Sequence, residues 1–509
     1  MKIYKQIKAI DAPIPADRQG AKRHYGVHPY FTRRPFNVVS RYIQHYSREG
    51  DRVLDPFGGS GVTAIEAFLS NRVGIQNDIN PLANFIAKGI ADLSKGNIAD
   101  YSVALDEVRD QCEKRVLALD HANDAEIAKA LEQLPLPENV RLPDNADVRN
   151  YRELFLPRQL AALTILREAV EKTPNQFARD ALRLAWSATL AKINRTFLSA
   201  EGRAESRGGS SIFSIYRYKI AAKPVELPAW ATFWERAQNV LAAKNEIDRE
   251  IDYRERTKGF SGKFEVHHAD ITDLPSEIKP VDYIFTDPPY GGHISYLDLS
   301  TLWNVWNNSI PSLEDRRREL IVGGDLNLSE DVYVRRLHDS IRSCFELLKH
   351  ERWLSIVFQH WSPTYFDAIL TAAGEAGGDL RAAISQIGDP IWSMHKKKGK
   401  QSVLAGELIL TFLKTGKRRA IDATKPLDVE AAIARILDST TNGSLYGEYL
   451  LNCIVIEAWR SGGLASLDID RTEFGEIMVR LGWSYDDRSH QWRKTGVAPT
   501  PLLDTRLKF

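Results

Sequence analysis

Residues 52–67 read RVLDPFGGSGVTAIEA, the pattern of a strand, a glycine-rich turn and a helix. Val53 and Leu54 end the strand, and the glycines that follow allow a tight turn and close approach of the backbone to a ligand. The helix that opens at residues 60–63 points free N–H groups at whatever occupies the turn. The stretch therefore predicts an α/β fold with a ligand site at the carboxyl end of a parallel strand.

A second strand, VGIQND at residues 73–78, ends in an acid. An acid at this point, about twenty residues after the first strand, can accept both hydroxyls of a ribose. The turn lacks the Gly-Lys-[Ser/Thr] of a P-loop and the Gly-x-Gly-x-x-Gly spacing of dinucleotide sites. These features predict a ligand with one nucleoside and no pyrophosphate.

A third decisive stretch is VDYIFTDPPY at residues 281–290. Its continuous apolar run predicts a buried strand of a parallel sheet, and two consecutive prolines end that strand. An acid, two rigid backbone carbonyls and an aromatic ring are thereby fixed at the strand's carboxyl end, where open α/β sheets bind ligands.

Together these stretches resemble the amino-methyltransferases of DNA, which modify exocyclic nitrogens. DPFGGSG at residues 55–61 looks like the S-adenosylmethionine motif of that family, and DPPY at residues 287–290 matches its catalytic motif. Residues 28–36 resemble the segment that precedes the cofactor motif. The resemblance implies a Rossmann-like class I methyltransferase fold, with a mostly parallel sheet of seven strands and a terminal antiparallel hairpin.

The resemblance also implies S-adenosylmethionine as the cofactor. Asp78 is expected to hold the ribose hydroxyls, and Asp270, at the end of a further strand, is expected to contact the adenine ring. The cofactor-binding residues implied in this way are Asp55, Phe57, Gly59, Ser60, Gly61, Asp78 and Asp270.

The residues of the DPPY stretch suit methyl transfer to an amino group. An exocyclic nitrogen is a poor nucleophile because its lone pair is delocalised into the ring, and the Asp287 carboxylate with the Pro288 carbonyl can accept its hydrogens. Tyr290 can stack on a base turned out of the duplex. The predicted catalytic residues are Asp287, Pro288, Pro289 and Tyr290.

Several substrates stay open at this point. Methylation of DNA at N6 of adenine is favoured over N4 of cytosine by the acid at the first motif position. RNA methyltransferases that act on guanine N2 share the motif, often with a following glycine such as Gly291. A catalytically idle binding protein is disfavoured by the intact motif. C5 methylation needs a thiolate nucleophile, and neither Cys112, Cys344 nor Cys453 lies near these stretches.

Four regions are predicted along the chain. Residues 1–95 and 263–417 form the two halves of the methyltransferase domain, which carry the cofactor and catalytic motifs. Residues 96–262 form a mostly helical insertion and a candidate target-recognition region. Residues 418–509 form an accessory module with two helical patterns and a β-hairpin, either a winged helix or a helical cap.

Local basic patches suggest where nucleic acid binds, since the net charge of +1 neither indicates nor excludes such a partner. Basic and aromatic residues alternate around residues 192–223, and a lysine-rich loop follows residue 395. A solvated surface is the alternative. The predicted contacts are Arg195, Arg203, Arg207, Arg217, Lys396, Lys397 and Lys398.

The remaining features concern compartment and partners. The N-terminus lacks the apolar core of a signal peptide, no apolar run approaches membrane-spanning length, and the three cysteines form no metal-spaced pair. These features predict a cytoplasmic protein with no metal and no membrane partner. The resemblance leaves open a restriction-modification setting with a restriction or defence protein as partner, and the oligomeric state is not predicted.

Overall fold

The computed structural model covers a chain of 509 residues. The described residues are 4–17, 22–198, 209–220, 225–292, 294–360, 362–387, 406–418, 426–438, 444–445, 447–463, 467, 471–486 and 491–495.

The strands are β1 (Arg52–Asp55), β2 (Val73–Asn77), β3 (Phe197–Leu198), β4 (Gly209–Ser210), β5 (Lys263–His267), β6 (Val281–Thr286), β7 (Leu348–Phe358), β8 (Gly378–Ile387), β9 (Gly406–Lys414), β10 (Ser444–Leu445), β11 (Trp483–Asp486) and β12 (Gln491–Lys494).

The helices are α1 (Phe36–Tyr46), α2 (Val62–Leu69), α3 (Pro81–Asp92), α4 (Ile98–Leu119), α5 (Asp124–Glu132), α6 (Pro157–Glu171), α7 (Gln176–Leu190), α8 (Ser211–Ser214), α9 (Ala229–Lys258), α10 (Leu274–Glu277), α11 (Tyr296–Leu299), α12 (Thr301–Asn304), α13 (Leu313–Arg318), α14 (Glu330–Leu347), α15 (Pro363–Glu375), α16 (Val429–Asp438), α17 (Gly447–Ser461) and α18 (Arg471–Arg480). Short 3₁₀ helices span Tyr4–Gln6, Arg23–Gly26 and Tyr151–Leu154. Among the described helices, none combines the length and apolar character needed to cross a membrane.

A seven-stranded sheet with the order β5-β2-β1-β6-β7-β9-β8 forms the centre of the fold. The pairs from β5 to β7 are parallel, and β9 runs antiparallel to both β7 and β8. The predicted α/β fold, with its mostly parallel sheet and terminal antiparallel hairpin, is confirmed. Because the strand order reverses between β1 and β6, the carboxyl ends of these two strands border the crevice where such sheets bind ligands.

Strand β6 is buried on both faces, which explains its continuous apolar sequence. Tyr283 and Phe285 belong to one core cluster, whereas Ile284 belongs to the cluster on the opposite face. Every residue of the strand is buried. The segment that follows at residue 287 therefore starts from a rigid support.

The helices predicted between the second and third strands of the main sheet lie at α4–α9, and they share a core with the sheet. Most of their buried apolar side chains belong to the same cluster as Tyr283 and Phe285. The Tyr218 hydroxyl donates to the carbonyls of Asp298 (3.0 Å) and Leu299 (2.7 Å). These contacts hold α11 and α12, which follow the DPPY segment, against the helical region.

The described C-terminal elements are three helices and a three-stranded sheet of order β10-β12-β11. The hairpin of β11 and β12 was predicted, but the two predicted helical patterns correspond to three helices. The order helix, strand, helix, helix, strand, strand fits the winged-helix alternative. Asn452 Nδ2 donates to Ser385 Oγ (3.3 Å), so α17 also contacts β8.

Candidate active site

The glycine turn after β1 has a conformation that a larger residue would disturb. Gly61 has a φ of +89°, and a Cβ added there would lie 2.5 Å from Ala87 Cβ on α3. A Cβ at Gly58 would lie 2.2 Å from Gln76 Oε1. The glycines therefore let the turn lie directly against β2 and α3.

Asp55, at the end of β1, forms hydrogen bonds that link the glycine turn to α2 and β6. Its Oδ2 accepts from Thr63 Oγ1, and its Oδ1 accepts from Thr286 Oγ1, each at 2.8 Å. The backbone N–H of Phe57 also donates to Oδ1 (3.2 Å). Burial raises the pKa of Asp55 to about 7. This carboxyl group thus joins β1, α2 and the end of β6, and it organises both predicted motifs.

Asp78 lies just beyond β2 and faces the glycine turn. Its Oδ2 accepts from the Gly59 N–H and its Oδ1 from the Asn80 N–H, both at 2.8 Å. Burial raises its pKa to about 6. Asp270 follows β5 and accepts from the backbone N–H (2.8 Å) and hydroxyl (2.7 Å) of Thr272. Two carboxylates are thereby held at the carboxyl ends of adjacent strands.

One cavity of about 380 Å³ connects the predicted cofactor and catalytic residues. Its wall includes eight residues predicted from the sequence: Asp55, Phe57, Gly59, Ser60, Asp78, Asp270, Asp287 and Pro289. Gly61, Pro288 and Tyr290 are described residues that stand outside this wall. The two motifs, which are far apart in sequence, therefore face a common space.

Asp287 lines the cavity and belongs to a compact polar cluster. Its Oδ2 accepts from Arg34 Nε, and its Oδ1 accepts from the Tyr290 hydroxyl, both at 2.5 Å. The same hydroxyl accepts from Arg34 Nη2 (2.5 Å), and Arg34 Nη1 forms an ion pair with Glu407 on β9. The Tyr333 hydroxyl donates to the Pro289 carbonyl (2.6 Å) and fixes the turn from α14.

Burial and charge act in opposite directions on Asp287. Burial raises the pKa of its carboxyl group, and Arg34 opposes this by stabilising the charged form. The carboxylate of Glu407 acts in the same direction as burial, because like charges repel. Arg34 is therefore the neighbour whose positive charge favours the ionised form of Asp287.

Residues 11–88 match a family model described as a DNA methylase. This match supports the N6-adenine and N4-cytosine DNA methyltransferase family. It covers α1, β1, α2, β2 and most of α3, which carry the cofactor motif. No curated protein matches the chain.

The predicted nucleic-acid residues are only partly described. Arg195 Nη1 donates to the Glu153 carbonyl (2.8 Å), and Arg217 forms an ion pair with Asp147. Their role in binding nucleic acid stays a prediction. Arg203, Arg207, Lys396, Lys397 and Lys398 lie outside the described residues.

Several residues of the candidate site were not singled out from the sequence. Arg33 Nε donates to Ser60 Oγ (2.9 Å), and burial lowers the pKa of its guanidinium to about 10. Tyr30 and Tyr296 both lie in the cavity wall, and their rings stack with centroids 6.3 Å apart. Arg33 and Arg34 lie within the segment that resembles the family's approach to the cofactor motif. No sequence motif marked Glu407, because it lies on β9, far from both predicted motifs in the sequence.

Proposed function

We propose that the protein transfers a methyl group from S-adenosylmethionine to an exocyclic amino nitrogen of DNA, with N6 of adenine as the favoured target. The observation that carries the proposal is the single cavity lined by Asp78 and Asp270 together with Asp287 and Pro289. A donor held by the first pair and an amino group held by the second would meet in one space.

The chemistry of the cavity fits this cofactor. The Asp78 carboxylate keeps lone pairs for ribose hydroxyls after accepting two backbone N–H groups. Asp270, beside Ile271 and Thr272, forms the far wall that would receive the adenine ring. When bound, S-adenosylmethionine supplies a methyl group on a sulfonium, and the transfer requires in-line positioning rather than a covalent intermediate.

The acceptors at the other end suit an amino group. The Asp287 carboxylate and the Pro288 carbonyl would each accept a hydrogen bond from one of its N–H groups and so localise the nitrogen lone pair. Because a duplex hides the amino nitrogen, the target base has to be turned out of the stack, and the Tyr290 ring can then stack on it. Tyr333 keeps this segment in position through the Pro289 carbonyl.

The preference for adenine rests on the acid at residue 287. N4 of cytosine presents the same type of amino group and is the second candidate. Methylation of guanine N2 in RNA is a further alternative, which the RNA arm of the following test would detect.

The test is incubation of the protein with tritiated S-adenosylmethionine and either genomic DNA or total RNA, followed by nucleoside chromatography. We expect tritium in N6-methyl-2′-deoxyadenosine from DNA. Tritium in N4-methyl-2′-deoxycytidine would transfer the proposal to cytosine, and tritium only in an RNA nucleoside would contradict it.

The matched control compares Asp287→Ala with Asp110→Ala. Asp110 lies on α4 with a side chain that is 75% exposed. The Asp110 variant should incorporate tritium as the wild type does, and the Asp287 variant should lose most incorporation. Equal incorporation by both variants would remove Asp287 from the proposed chemistry.

A further inference from the structure

Arg34 fills the place where hydrogen-bond donors of a base would have to arrive. Its Nε and Nη2 point at Asp287 Oδ2 and the Tyr290 hydroxyl, each at 2.5 Å. The side chain is only 16% exposed, and its third nitrogen faces Glu407. The guanidinium therefore presents one N–H group, that of Nε, to Asp287 as an amino group would.

Arg34 and the amino group of a base are not equivalent hydrogen-bond donors to Asp287. Both hydrogen bonds end on the ionised carboxylate and are charge-assisted, but a guanidinium is a permanent cation and adds the attraction of opposite charges. An amino group of a base is neutral and lacks this attraction, so it competes poorly while Arg34 remains on Oδ2. Glu407 offers the guanidinium a second carboxylate, which would keep the cation paired if it released Asp287.

The charge state of Asp287 depends on groups from several elements. Arg34 from the segment before α1 favours the ionised form, and Glu407 on β9 opposes it. The Tyr290 hydroxyl donates to Oδ1, and the Asp55 carboxyl and the Tyr296 hydroxyl also face it. Arg34 is the one cation among these groups.

We propose that Arg34 is a positioning residue that keeps Asp287 ionised and occupied until a target base arrives, and then releases Asp287 and keeps its ion pair with Glu407 as the amino group takes its place on Asp287. This inference rests on the proposed function for the identity of the base. It adds that the hydrogen bonds of Arg34 determine when the target base can enter and the pH range in which Asp287 can accept a hydrogen bond from it.

The first test needs no methyl transfer. Melting temperatures are measured for the wild type, Arg34→Ala, Asp287→Asn and the double variant, with Arg34→Lys as a charge-retaining variant. Loss of Arg34 should lower the melting temperature more when residue 287 is Asp than when it is Asn, because the buried carboxylate then lacks its cation. Additive effects of the two substitutions would overturn the proposal.

The second test uses the pH dependence of kcat on DNA. In Arg34→Ala the acid limb should move to higher pH by about one pH unit or more, because an opposite charge beside the carboxyl group is lost. In Glu407→Gln the limb should move to lower pH, because a repelling carboxylate is removed. Arg34→Lys should restore part of the wild-type profile. A purely structural role predicts lower activity with an unmoved limb, and that result would overturn the proposal.

Base entry is followed by the fluorescence of 2-aminopurine placed at the target position. Arg34→Ala should give higher fluorescence than the wild type at saturating DNA, because the competing donor is absent. The matched control is Arg342→Ala. The Arg342 side chain on α14 is 51% exposed, and its substitution should change neither the pH dependence of kcat nor the 2-aminopurine fluorescence. If the wild type methylates neither DNA nor RNA, the proposed function fails, and the melting-temperature cycle still decides whether Arg34 sustains the charge of Asp287.

Discussion

At the scale of single residues, Asp78 gives a direct test of the cofactor site. Asp78→Ala should weaken binding of S-adenosylmethionine by roughly tenfold or more, because a ribose would lose its charged acceptor. Calorimetry measures the affinity, and the cofactor should also raise the melting temperature of the variant less than that of the wild type. Undiminished affinity would remove Asp78 from the site.

At the scale of elements, the glycine turn brings α2 and α3 together. Gly61→Ala should destabilise the protein by about 1–3 kcal/mol, because its Cβ would overlap Ala87 Cβ. Gly50→Ala is the matched control, since Gly50 has a φ of +83° but no atom within 4 Å of an added Cβ. Thermal denaturation of the two variants separates the clash from the backbone strain. Equal losses would show that contact with α3 matters little.

At the scale of the whole molecule, the helical region holds α11 and α12, which follow the DPPY segment. Tyr218→Phe removes a hydroxyl that donates to two carbonyls and accepts from the Leu302 N–H (3.1 Å). The loss should be about 1–3 kcal/mol, because buried polar groups are left unsatisfied. Denaturant unfolding measures it, with Tyr253→Phe as a control whose residue is 69% exposed. A similar stability for both variants would argue that the two regions are independent.

Nucleic-acid binding is also a property of the whole molecule. Neutralising Arg203, Arg207 and Lys396–Lys398 should flatten the dependence of DNA affinity on salt concentration, because fewer counterions are released. Cofactor binding should survive, as these residues lie apart from the cofactor motif in sequence. Filter binding at several salt concentrations measures the slope, with Lys8→Ala as an exposed control. An unchanged slope would assign both segments to ordinary solvated surface.

The sequence allowed the sheet and eight residues of the cavity wall to be predicted, because strand ends and glycine turns are local signals. The cluster around Asp287 was less accessible, since its partners Arg34 and Glu407 are joined to it only by the fold. The shared core of α4–α9 and the sheet was also missed, because helical periodicity shows that a face is buried but not what covers it. The third C-terminal helix was also missed, although Asn442-Gly443 and Gly462-Gly463 mark breaks between the helical patterns.

The most direct test of the account is the turnover of wild type, Asp287→Asn and Asp287→Ala on the same methylatable DNA. All three should fold and bind S-adenosylmethionine, because residue 287 lies beyond the last ladder pair of β6. We expect wild type to be fastest, Asn to retain part of the activity through its amide oxygen, and Ala to lose most of it. Equal turnover by all three proteins would contradict the account, because Asp287 would then accept no hydrogen from the reacting amino group.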